Sequence, residues 1–308
     1  MMPAVRADDR AGDFTVPRKL MLIVNPHSGR GLSKNTLGGI VAELGKSDCA
    51  VTVFFIGSWE LETLIREQCR DYDIIACVGG DGTLSGVVSG LVQVPDAPPV
   101  GYIPTGTAND MATTLALSRS PVLAARAILE GQPVPVDVGR FGDKYFTYIA
   151  AFGAFTGVAY KTKQSAKRAL GRLAYIFGGI ASVPKISAKH TIVEYDGGVI
   201  EGNFIFGSVS NSTSVASLVK LNPAQVDLSD GLFEVILVRR PINIGAMRDI
   251  LASVMTKNYD NDNVKMFHSK TVKFTFDEDI PWTRDGEDGG AHREITISNC
   301  REAVRLIR

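Results

Sequence analysis

Three short loops of this chain combine glycines with hydroxyl, amide and carboxylate side chains. They span residues 25–31, 79–83 and 104–110, and each directly follows a short apolar run. Glycines let backbone N–H groups approach phosphate oxygens closely, and a carboxylate among them can hold Mg²⁺ or its waters. Asp81, in the second loop, is costly at a buried strand end unless it meets a cation or a donor. Together the loops predict a site for a magnesium nucleotide.

Each loop also has a purely structural explanation. The first can be a tight β-to-α turn, the second an acidic helix cap, and the third a helix start capped by Thr107. An acidic cap would not require the three glycines of the second loop. The chain contains neither G-x-x-x-x-G-K followed by Ser or Thr nor G-x-G-x-x-G, which argues against a P-loop fold and a standard dinucleotide-binding fold.

The elements around these loops predict an α/β N-terminal domain with a mostly parallel sheet. Residues 19–129 alternate short apolar runs with helix-length segments, as βαβ units do. Parallel strands end at one edge of a sheet, so the three loops would meet there as a nucleotide cradle. The predicted strands are 20–24, 51–56, 74–78 and 100–103.

After Gly131 the sequence becomes β-rich, and its strand spacing predicts an antiparallel sheet or sandwich as a second domain. The predicted strands are 145–150, 191–195, 204–209, 232–238 and 272–276, with helices near 165–183 and 244–255. The resulting division is a disordered leader (1–17), a nucleotide-binding α/β domain (18–132), a β-rich domain for the second substrate (133–300) and a tail (301–308) that can return to the first domain.

Composition excludes several classes of protein. The chain has 33 basic and 33 acidic residues, so no overall field attracts nucleic acid, and no nucleic-acid partner is expected. Its four cysteines lack C-x-x-C spacing, which fits reduced thiols in a cytoplasmic protein better than disulfides or structural zinc. No run of eighteen apolar, uncharged residues predicts a membrane-spanning helix.

Five ordered motifs resemble the catalytic-domain family of diacylglycerol kinases, which includes bacterial lipid kinases and the sphingosine and ceramide kinases. The resemblance extends over nearly the whole chain after Arg18 and implies the NAD-kinase and diacylglycerol-kinase type of fold, with a sandwich-like C-terminal domain. The motifs are Asn25-Pro26-His27-Ser28-Gly29, residues 79–83, Gly106-Thr107-Ala108-Asn109-Asp110, residues 229–235 and Asp285-Gly286-Glu287.

The resemblance implies an ATP-dependent lipid kinase that also requires Mg²⁺. Asp81 and Asp110 would belong to the catalytic magnesium and water network, and Glu287 would accept the proton of the lipid hydroxyl. From the residues alone, the carboxylates around Glu287 are equally a solvated hairpin turn. The implied nucleotide-binding residues are Asn25, Pro26, His27, Ser28, Gly29, Gly79, Gly80, Asp81, Gly82, Thr83, Leu84, Ser85, Thr107 and Asn109.

The bacterial members also hold a second, structural magnesium. The matching positions are the side chain of Asp230 and the backbone carbonyls of Asp227 and Leu232. An Asp-Gly pair before a strand is by itself a common turn signal, so this metal site rests on the resemblance.

Two departures from the family pattern bear on substrate preference. The family commonly has Asn where this chain has Ser85, which can still donate a hydrogen bond to phosphate. It also has an aromatic residue followed by Ala-Arg where this chain has Met111-Ala112-Thr113. The lost arginine leaves one charge fewer near the cleft.

Membrane contact is expected from a basic segment between Lys161 and Lys189. No acidic residue occurs between Asp143 and Glu194. Apolar residues at helical spacing in 166–180 predict an amphipathic helix for the surface of an anionic membrane. The alternative is a core-packing helix with an exposed basic side. The resulting expectation is a cytoplasmic protein at the membrane periphery, with a homodimer left open.

Diacylglycerol is the expected acceptor, converted to phosphatidic acid. Related families phosphorylate phosphatidylglycerol, sphingoid bases or ceramide. Two alternatives remain at this point: an NAD kinase, which shares the Gly-Gly-Asp-Gly-Thr loop, and a non-catalytic lipid-binding protein of the same fold.

Overall fold

The structure is a computed structural model. It describes residues 17–29, 32–46, 49–57, 60–153, 187–215, 219–222, 226–259 and 261–308. The predicted leader, apart from residue 17, and most of the predicted basic segment, from Lys161 to Lys185, lie outside the described residues.

The N-terminal part alternates strands and helices, as the sequence predicts. A 3₁₀ turn, Cys69–Asp71, follows the second helix. The elements are β1 (Arg18–Val24), α1 (Lys34–Leu44), β2 (Cys49–Phe55), α2 (Leu61–Gln68), β3 (Ile74–Gly79), α3 (Asp81–Leu91), β4 (Val100–Pro104), α4 (Asp110–Thr114) and α5 (Pro121–Glu130).

The C-terminal part is built from strands and one further described helix, α6 (Ile244–Thr256), close to its predicted position. The strands are β5 (Pro133–Phe141), β6 (Lys144–Phe146), β7 (Ile149–Gly153), β8 (Lys189–Tyr195), β9 (Gly198–Ser210), β10 (Ser214–Val215), β11 (Val219–Lys220), β12 (Phe233–Arg239), β13 (Val264–Ser269), β14 (Thr271–Arg284) and β15 (Glu287–Ile307). None of the helices in the described part of the chain is long and apolar enough to cross a membrane.

Thirteen strands form one continuous sheet that is mostly antiparallel, so the expectation of an N-terminal domain with a mostly parallel sheet of its own is wrong. Parallel ladders join β1 to β2, β1 to β3 and β3 to β4. The 21-residue strand β15 connects this part to the rest, because it pairs with β4 at Leu306 and antiparallel with β5 and β14. Hairpin connections dominate after β4, and hairpins give antiparallel pairs.

Strands of the second part wrap around an aromatic core. β14 pairs with β8 through its first half and with β7 through its second half, while β9 pairs with both β7 and β8. The ring centroids of Phe152 and Trp282 lie 4.9 Å apart, and those of Phe274 and Trp282 lie 5.1 Å apart. Such pairs add about 0.5–1.5 kcal/mol each beyond the apolar area that they bury. This core fixes β14, which leads directly to residues 285–287, and its pairing neighbour β7.

Candidate active site

The three glycine-bearing loops lie side by side, as the sequence predicts. They follow β1, β3 and β4, which are neighbours in the sheet order β4-β3-β1-β2. Asn25 joins the first loop to the second, since its Nδ2 donates to Thr83 Oγ1 at 3.0 Å. Its Oδ1 accepts from the backbone N–H of His27 at 3.0 Å, which fixes the turn. The Asn25 side chain is therefore a structural link between two loops.

Glycines allow the loop backbones to touch. A methyl group built on Gly29, which has φ +63°, would overlap the carbonyl oxygen of Thr105 in the third loop. One built on Gly106 would lie 2.5 Å from Gly80 Cα. Any larger residue would separate the loops, and this close approach explains the glycines at both positions.

The contact zone of the loops offers hydrogen-bond donors to an anion. Ser28 Oγ is buried without a partner, and a methyl group built on Gly80 would lie 3.7 Å from it. α3 begins directly at Asp81 after the cap residue Gly80, and the first turn of a helix leaves backbone N–H groups without intrahelical acceptors. An unpartnered hydroxyl beside a helix N-terminus fits a phosphate group.

Asp81 and Asp110 form a buried acidic pair. The two Asp81 oxygens accept the backbone N–H groups of Asp110 and Met111, each at 3.2 Å. The exposed fractions of Asp81 and Asp110 are 8% and 4%. Burial, followed by the negative charge of Asp110, raises the pKa of Asp81 to about 6. A cation placed between the two carboxylates would relieve both effects.

This arrangement fits Mg²⁺ bound together with a nucleotide. The described residues contain no group of three or more His, Cys, Asp or Glu side chains able to hold a metal ion. Mg²⁺ commonly uses one or two carboxylates, with phosphates and waters as its other ligands. Asp81 and Asp110 supply that number of carboxylates beside the three glycine-bearing loops.

A hairpin turn from the second part of the chain contacts α3 through Asp285. Its buried carboxylate accepts the backbone N–H groups of Thr147, Tyr148 and Ile149 at 2.5, 3.0 and 3.0 Å, and the hydroxyl of Ser85 hydrogen-bonds to it as well. Burial raises the pKa of Asp285. The predicted strand 145–150 is consequently interrupted, because residues 147 and 148 turn their N–H groups to this carboxylate.

Glu287 lies against the second loop. A methyl group built on Gly82 would be 3.0 Å from Glu287 Oε1. Gly82 and Ser85 are three residues apart on α3 and share one face, so the same turn meets both. The exposed carboxylate of Glu287 therefore lies against Gly82, which directly follows Asp81 in the first turn of α3.

Other residues implied by the family resemblance occupy varied positions. Leu84 is fully buried in the core, so only its backbone can face a nucleotide. His27 is exposed and Pro26 half-buried. Asn109, with φ +52°, precedes α4 as its cap residue and donates to Gly106 O at 3.0 Å, so the expected cap at Thr107 is wrong. An asparagine tolerates this left-handed conformation better than most residues.

The loop of the implied structural magnesium is held by other contacts. Asp230 Oδ1 accepts the N–H of Leu232 at 2.8 Å, and Asp227 Oδ1 accepts the N–H of Ser229 at 3.0 Å. The carbonyl of Leu232 accepts from Asn299 Nδ2 at 3.3 Å. A metal at Asp230 and the carbonyls of Asp227 and Leu232 stays a prediction.

The sequence does not predict the hydrogen bonds of two buried aspartates. Asp285 is expected only as a member of the Asp285-Gly286-Glu287 motif or of a solvated hairpin turn. Asp137 is fully buried and accepts the N–H groups of Gly231 and Glu302, both at 2.7 Å. Gly286, with φ +85°, follows Asp285, and an Asp-Gly pair indicates such a turn. The local sequence does not indicate which backbone N–H groups donate to the carboxylates of Asp285 and Asp137.

Comparison with known proteins agrees with this geometry. The family model described as diacylglycerol kinase catalytic domain matches residues 19–141, and the one described as YegS C-terminal NAD kinase beta sandwich-like domain matches residues 151–307. A diacylglycerol kinase of Staphylococcus carnosus (strain TM300) is 31% identical over 277 residues, covering 89% of this chain and 90% of the relative. One of Staphylococcus aureus (strain JH9) is 31% identical over 278 residues, covering 89% and 87%.

Solved structures share the fold. A crystal structure from Bacillus anthracis strain Sterne, described as a diacylglycerol kinase, has a TM-score of 0.74 at 22% identity and covers 95% of this chain and 97% of its own. Another chain from that strain reaches a TM-score of 0.78 at 22% identity, covering 95% and 98%. Taken with the sequence relatives and the catalytic-domain match, these findings show that the chain belongs to the diacylglycerol kinase family.

Proposed function

We propose that the protein is an ATP-dependent lipid kinase that phosphorylates the free hydroxyl of diacylglycerol to give phosphatidic acid. The observation that carries the proposal is the position of Glu287. It comes from the second part of the chain, yet its Oε1 lies 3.0 Å from a methyl group built on Gly82, in the loop expected to bind phosphate. A proton acceptor at the edge of a phosphate site is what transfer to a hydroxyl requires.

The nucleoside of ATP has a suitable place beside the loops. An open cleft of about 610 Å³ adjoins the third loop. Its lining combines small apolar and hydroxyl side chains, including Leu32, Thr36, Thr107, Ala112 and Leu117. Its size falls in the usual range for small-molecule sites, and it shares Gly106 and Asn109 with the phosphate-binding loops.

The reaction is a direct in-line transfer. As the lipid oxygen forms its bond to the γ-phosphorus, the bond from that phosphorus to the β–γ bridging oxygen breaks and ADP leaves. The hydroxyl proton passes to the Glu287 carboxylate. This carboxylate is exposed where it lies against α3, so a second substrate can reach it. Catalysis by positioning and charge stabilisation is general for phosphoryl transfer.

The remaining residues orient the donor. Mg²⁺ bound with ATP would supply positive charge to the phosphates, and Asp81 and Asp110 are the groups placed to hold it. Ser28 Oγ and the N-terminus of α3 would contact phosphate oxygens, while Asp285 keeps Glu287 next to α3.

A panel of acceptors tests the proposal. The purified protein is incubated with γ-labelled ATP and Mg²⁺ in the presence of diacylglycerol, sphingosine, ceramide, phosphatidylglycerol or NAD. We expect labelled phosphatidic acid from diacylglycerol at the highest kcat/KM. A preference for another lipid would support the kinase activity but contradict diacylglycerol as the acceptor. A labelled product from NAD alone would contradict a lipid as the substrate.

A lipid acceptor also places the working enzyme at a membrane surface. We infer a cytoplasmic protein that associates peripherally with the membrane, which the basic residues between Lys161 and Lys189 support by their charge.

A further inference from the structure

Helix α6 presents an apolar stripe to solvent beside its core-facing side. Ala246 and Met247 are buried on its inner face. Ile244, Leu251 and Met255, spaced by seven and four residues, share one side of the helix, where Ile244 and Met255 are exposed and Leu251 is half-buried. Ile244 is 51% exposed and Met255 83% exposed. Exposed apolar side chains that cluster in this way mark a candidate interaction surface.

Ile242 extends this stripe beyond the helix start. Asn243 caps α6 by accepting the N–H of Ala246 at 2.8 Å, which makes Ile242 the residue before the cap. A hydrophobic residue at that position normally packs on the fourth helical residue, here Met247. Met247 is buried, but Ile242 is 86% exposed, so that contact is not made and Ile242 projects outward.

Basic side chains surround the stripe. Arg240, Arg248 and Lys257 are exposed, and within the described part of the chain they have no ion-pair partner. Arg239 lies over the ring of Phe204, with its Cζ 5.2 Å from the centroid. The nearest acidic side chain of the helix, Asp249, accepts from Asn263 Nδ2 at 3.3 Å.

We propose that this surface, named here the α6 surface and comprising Ile242, Ile244, Leu251 and Met255 with the basic residues Arg240, Arg248 and Lys257, docks the protein on an anionic lipid bilayer. Apolar side chains enter the headgroup and acyl boundary while cations meet the lipid phosphates. The inference rests on the proposed lipid kinase function only in that this function gives the protein a reason to bind a membrane.

The charge beside the exposed isoleucines favours an anionic membrane as the occupant. Arg239, the last residue of β12, and Arg240 lie just before Ile242 in the chain. The inner face of α6 is already occupied, because Ile250 and Val254 pack against the hydrophobic core that also contains Leu84 of α3.

A second copy of the chain is a less suitable occupant. In a two-fold symmetric contact, the cations around one α6 surface would face the same cations of the other. A stable interface also buries roughly 800 Å² on each partner, more than four partly exposed side chains supply.

Vesicle sedimentation tests the proposal with the full chain. The variant Ile242→Ser/Ile244→Ser is compared with wild type on vesicles of phosphatidylcholine and phosphatidylglycerol in equal parts. We expect its partition coefficient to fall at least about tenfold. The matched control is Leu123→Ser/Val199→Ser, which removes apolar residues that are 50% and 65% exposed elsewhere, and it should bind as wild type does.

Charge-reversal variants give a second test of the α6 surface in the same vesicle assay. Arg240→Glu and Arg248→Glu should each weaken binding to the anionic vesicles at least about fivefold and leave the weak binding to pure phosphatidylcholine vesicles unchanged. Each variant's melting temperature verifies that it folds. Wild-type vesicle binding by the isoleucine variant would overturn the proposal. A dimer of the wild type that becomes a monomer in this variant, seen by size-exclusion chromatography with vesicle binding intact, would show a dimer interface and would overturn the proposal as well.

Activity assays separate this inference from the proposed function. The isoleucine variant should lose turnover of diacylglycerol in vesicles and keep turnover of a short-chain, water-soluble diacylglycerol. Vesicle binding that depends on Ile242 and Ile244 in a protein that phosphorylates no lipid would support the docking surface and reject the kinase. Loss of turnover on both forms of diacylglycerol with binding unchanged would reject the docking surface.

Discussion

At the scale of single residues, Asp285 determines where the proposed proton acceptor stands. Its carboxylate gathers three backbone N–H groups and the Ser85 hydroxyl, and Glu287 follows two residues later. Because Asp285 is bound both to its own sheet and to α3, the turn cannot move away from α3 without breaking buried hydrogen bonds. Asp285 thus acts through Glu287 and is a positioning residue.

Substituting Asp285→Asn should reduce both stability and turnover. An amide can accept with only one oxygen and turns its NH₂ toward backbone donors, so we expect the free energy of unfolding to fall by roughly 2–5 kcal/mol. In the remaining folded protein, kcat should fall while the KM for ATP changes little, because the nucleotide loops are untouched. Urea unfolding and steady-state kinetics measure the two effects.

The neighbouring Asp288 supplies the control. It is exposed and accepts a single N–H, from Gly290 at 2.8 Å, so Asp288→Asn should change stability by less than about 1 kcal/mol. Equal kinetic losses in both variants would contradict a specific role for Asp285.

The family resemblance, more than the residue types, pointed to Asp81, Asp110 and Glu287 as one site, and their roles stay predictions. In the structure the three residues lie together at the start of α3 and α4. Ser85 stays a prediction as a phosphate donor, but its hydroxyl is bonded to Asp285. A serine one turn into a helix gives no sign of whether its hydroxyl meets a ligand or a carboxylate from another part of the chain, so this contact required the fold.

At the scale of elements, the site depends on how closely three loops pack. Gly80 and Gly106 meet backbone to backbone, and Gly106 also lies under the side chain of Asn109. The strands place the loops next to each other, and the glycines set the remaining distance. Phosphate-binding N–H groups from different strands can then converge on one ligand.

Replacing Gly106→Ala should separate the loops. The added methyl would lie 2.5 Å from Gly80 Cα and 2.7 Å from Asn109 Oδ1, so backbone must shift. We expect the KM for ATP to rise about tenfold or more, since a shift of about 1 Å can cost far more in a positioned site. Isothermal titration with ATP analogues measures the loss directly.

Gly38 in α1 provides the comparison for this substitution. A methyl group there has no neighbour within 4 Å, so Gly38→Ala should leave the KM unchanged and stabilise the helix by about 0.5–1 kcal/mol. An unchanged nucleotide affinity in Gly106→Ala would show that the loop contact is irrelevant to ATP binding.

Element identity was easier to predict than sheet pairing. Local periodicity indicated the βαβ units and the position of α6. It gave no indication that β15 runs for 21 residues from the turn at residues 285–287 to a pairing with β4. That strand carries charged residues and a bulge near Glu302, at φ +50°, and its pairing is set by partners far away in the chain.

At the scale of the whole molecule, the sheet of the second part contains a buried carboxylate, that of Glu234. Glu234 lies in β12 opposite Ser210 of β9 and His268 of β13, and only 1% of it is exposed. One of its oxygens, Oε2, has no hydrogen-bond partner. Burial, with added repulsion from Asp230 and Asp137, raises the pKa of Glu234 to about 8.

This raised pKa predicts how stability depends on pH. The folded protein keeps a proton on Glu234 up to about pH 8, while the unfolded chain releases it near its ordinary value of 4.5. The contribution of Glu234 to the free energy of unfolding is therefore fully present below pH 4.5 and is lost as the pH rises toward 8. Relative to Glu234→Gln, wild type should lose about 1.4 kcal/mol per pH unit across that window and no more above it.

Urea unfolding of both proteins from pH 5 to pH 9 in a chelating buffer measures this difference. The exposed pair of Glu294 with Lys273 at 3.1 Å gives the control, since Glu294→Gln should follow the wild-type pH curve closely. Parallel curves for wild type and Glu234→Gln would mean that Glu234 is ionised in the folded protein.

The central claim, transfer of a phosphoryl group to diacylglycerol with Glu287 as proton acceptor, is tested most directly by single-turnover transfer from γ-labelled ATP to diacylglycerol by wild type and Glu287→Gln. Wild type should form labelled phosphatidic acid. The variant should bind ATP with unchanged affinity and transfer the label about 10²–10⁴-fold more slowly, the usual loss for a general base. Equal transfer rates in the two proteins would contradict the account.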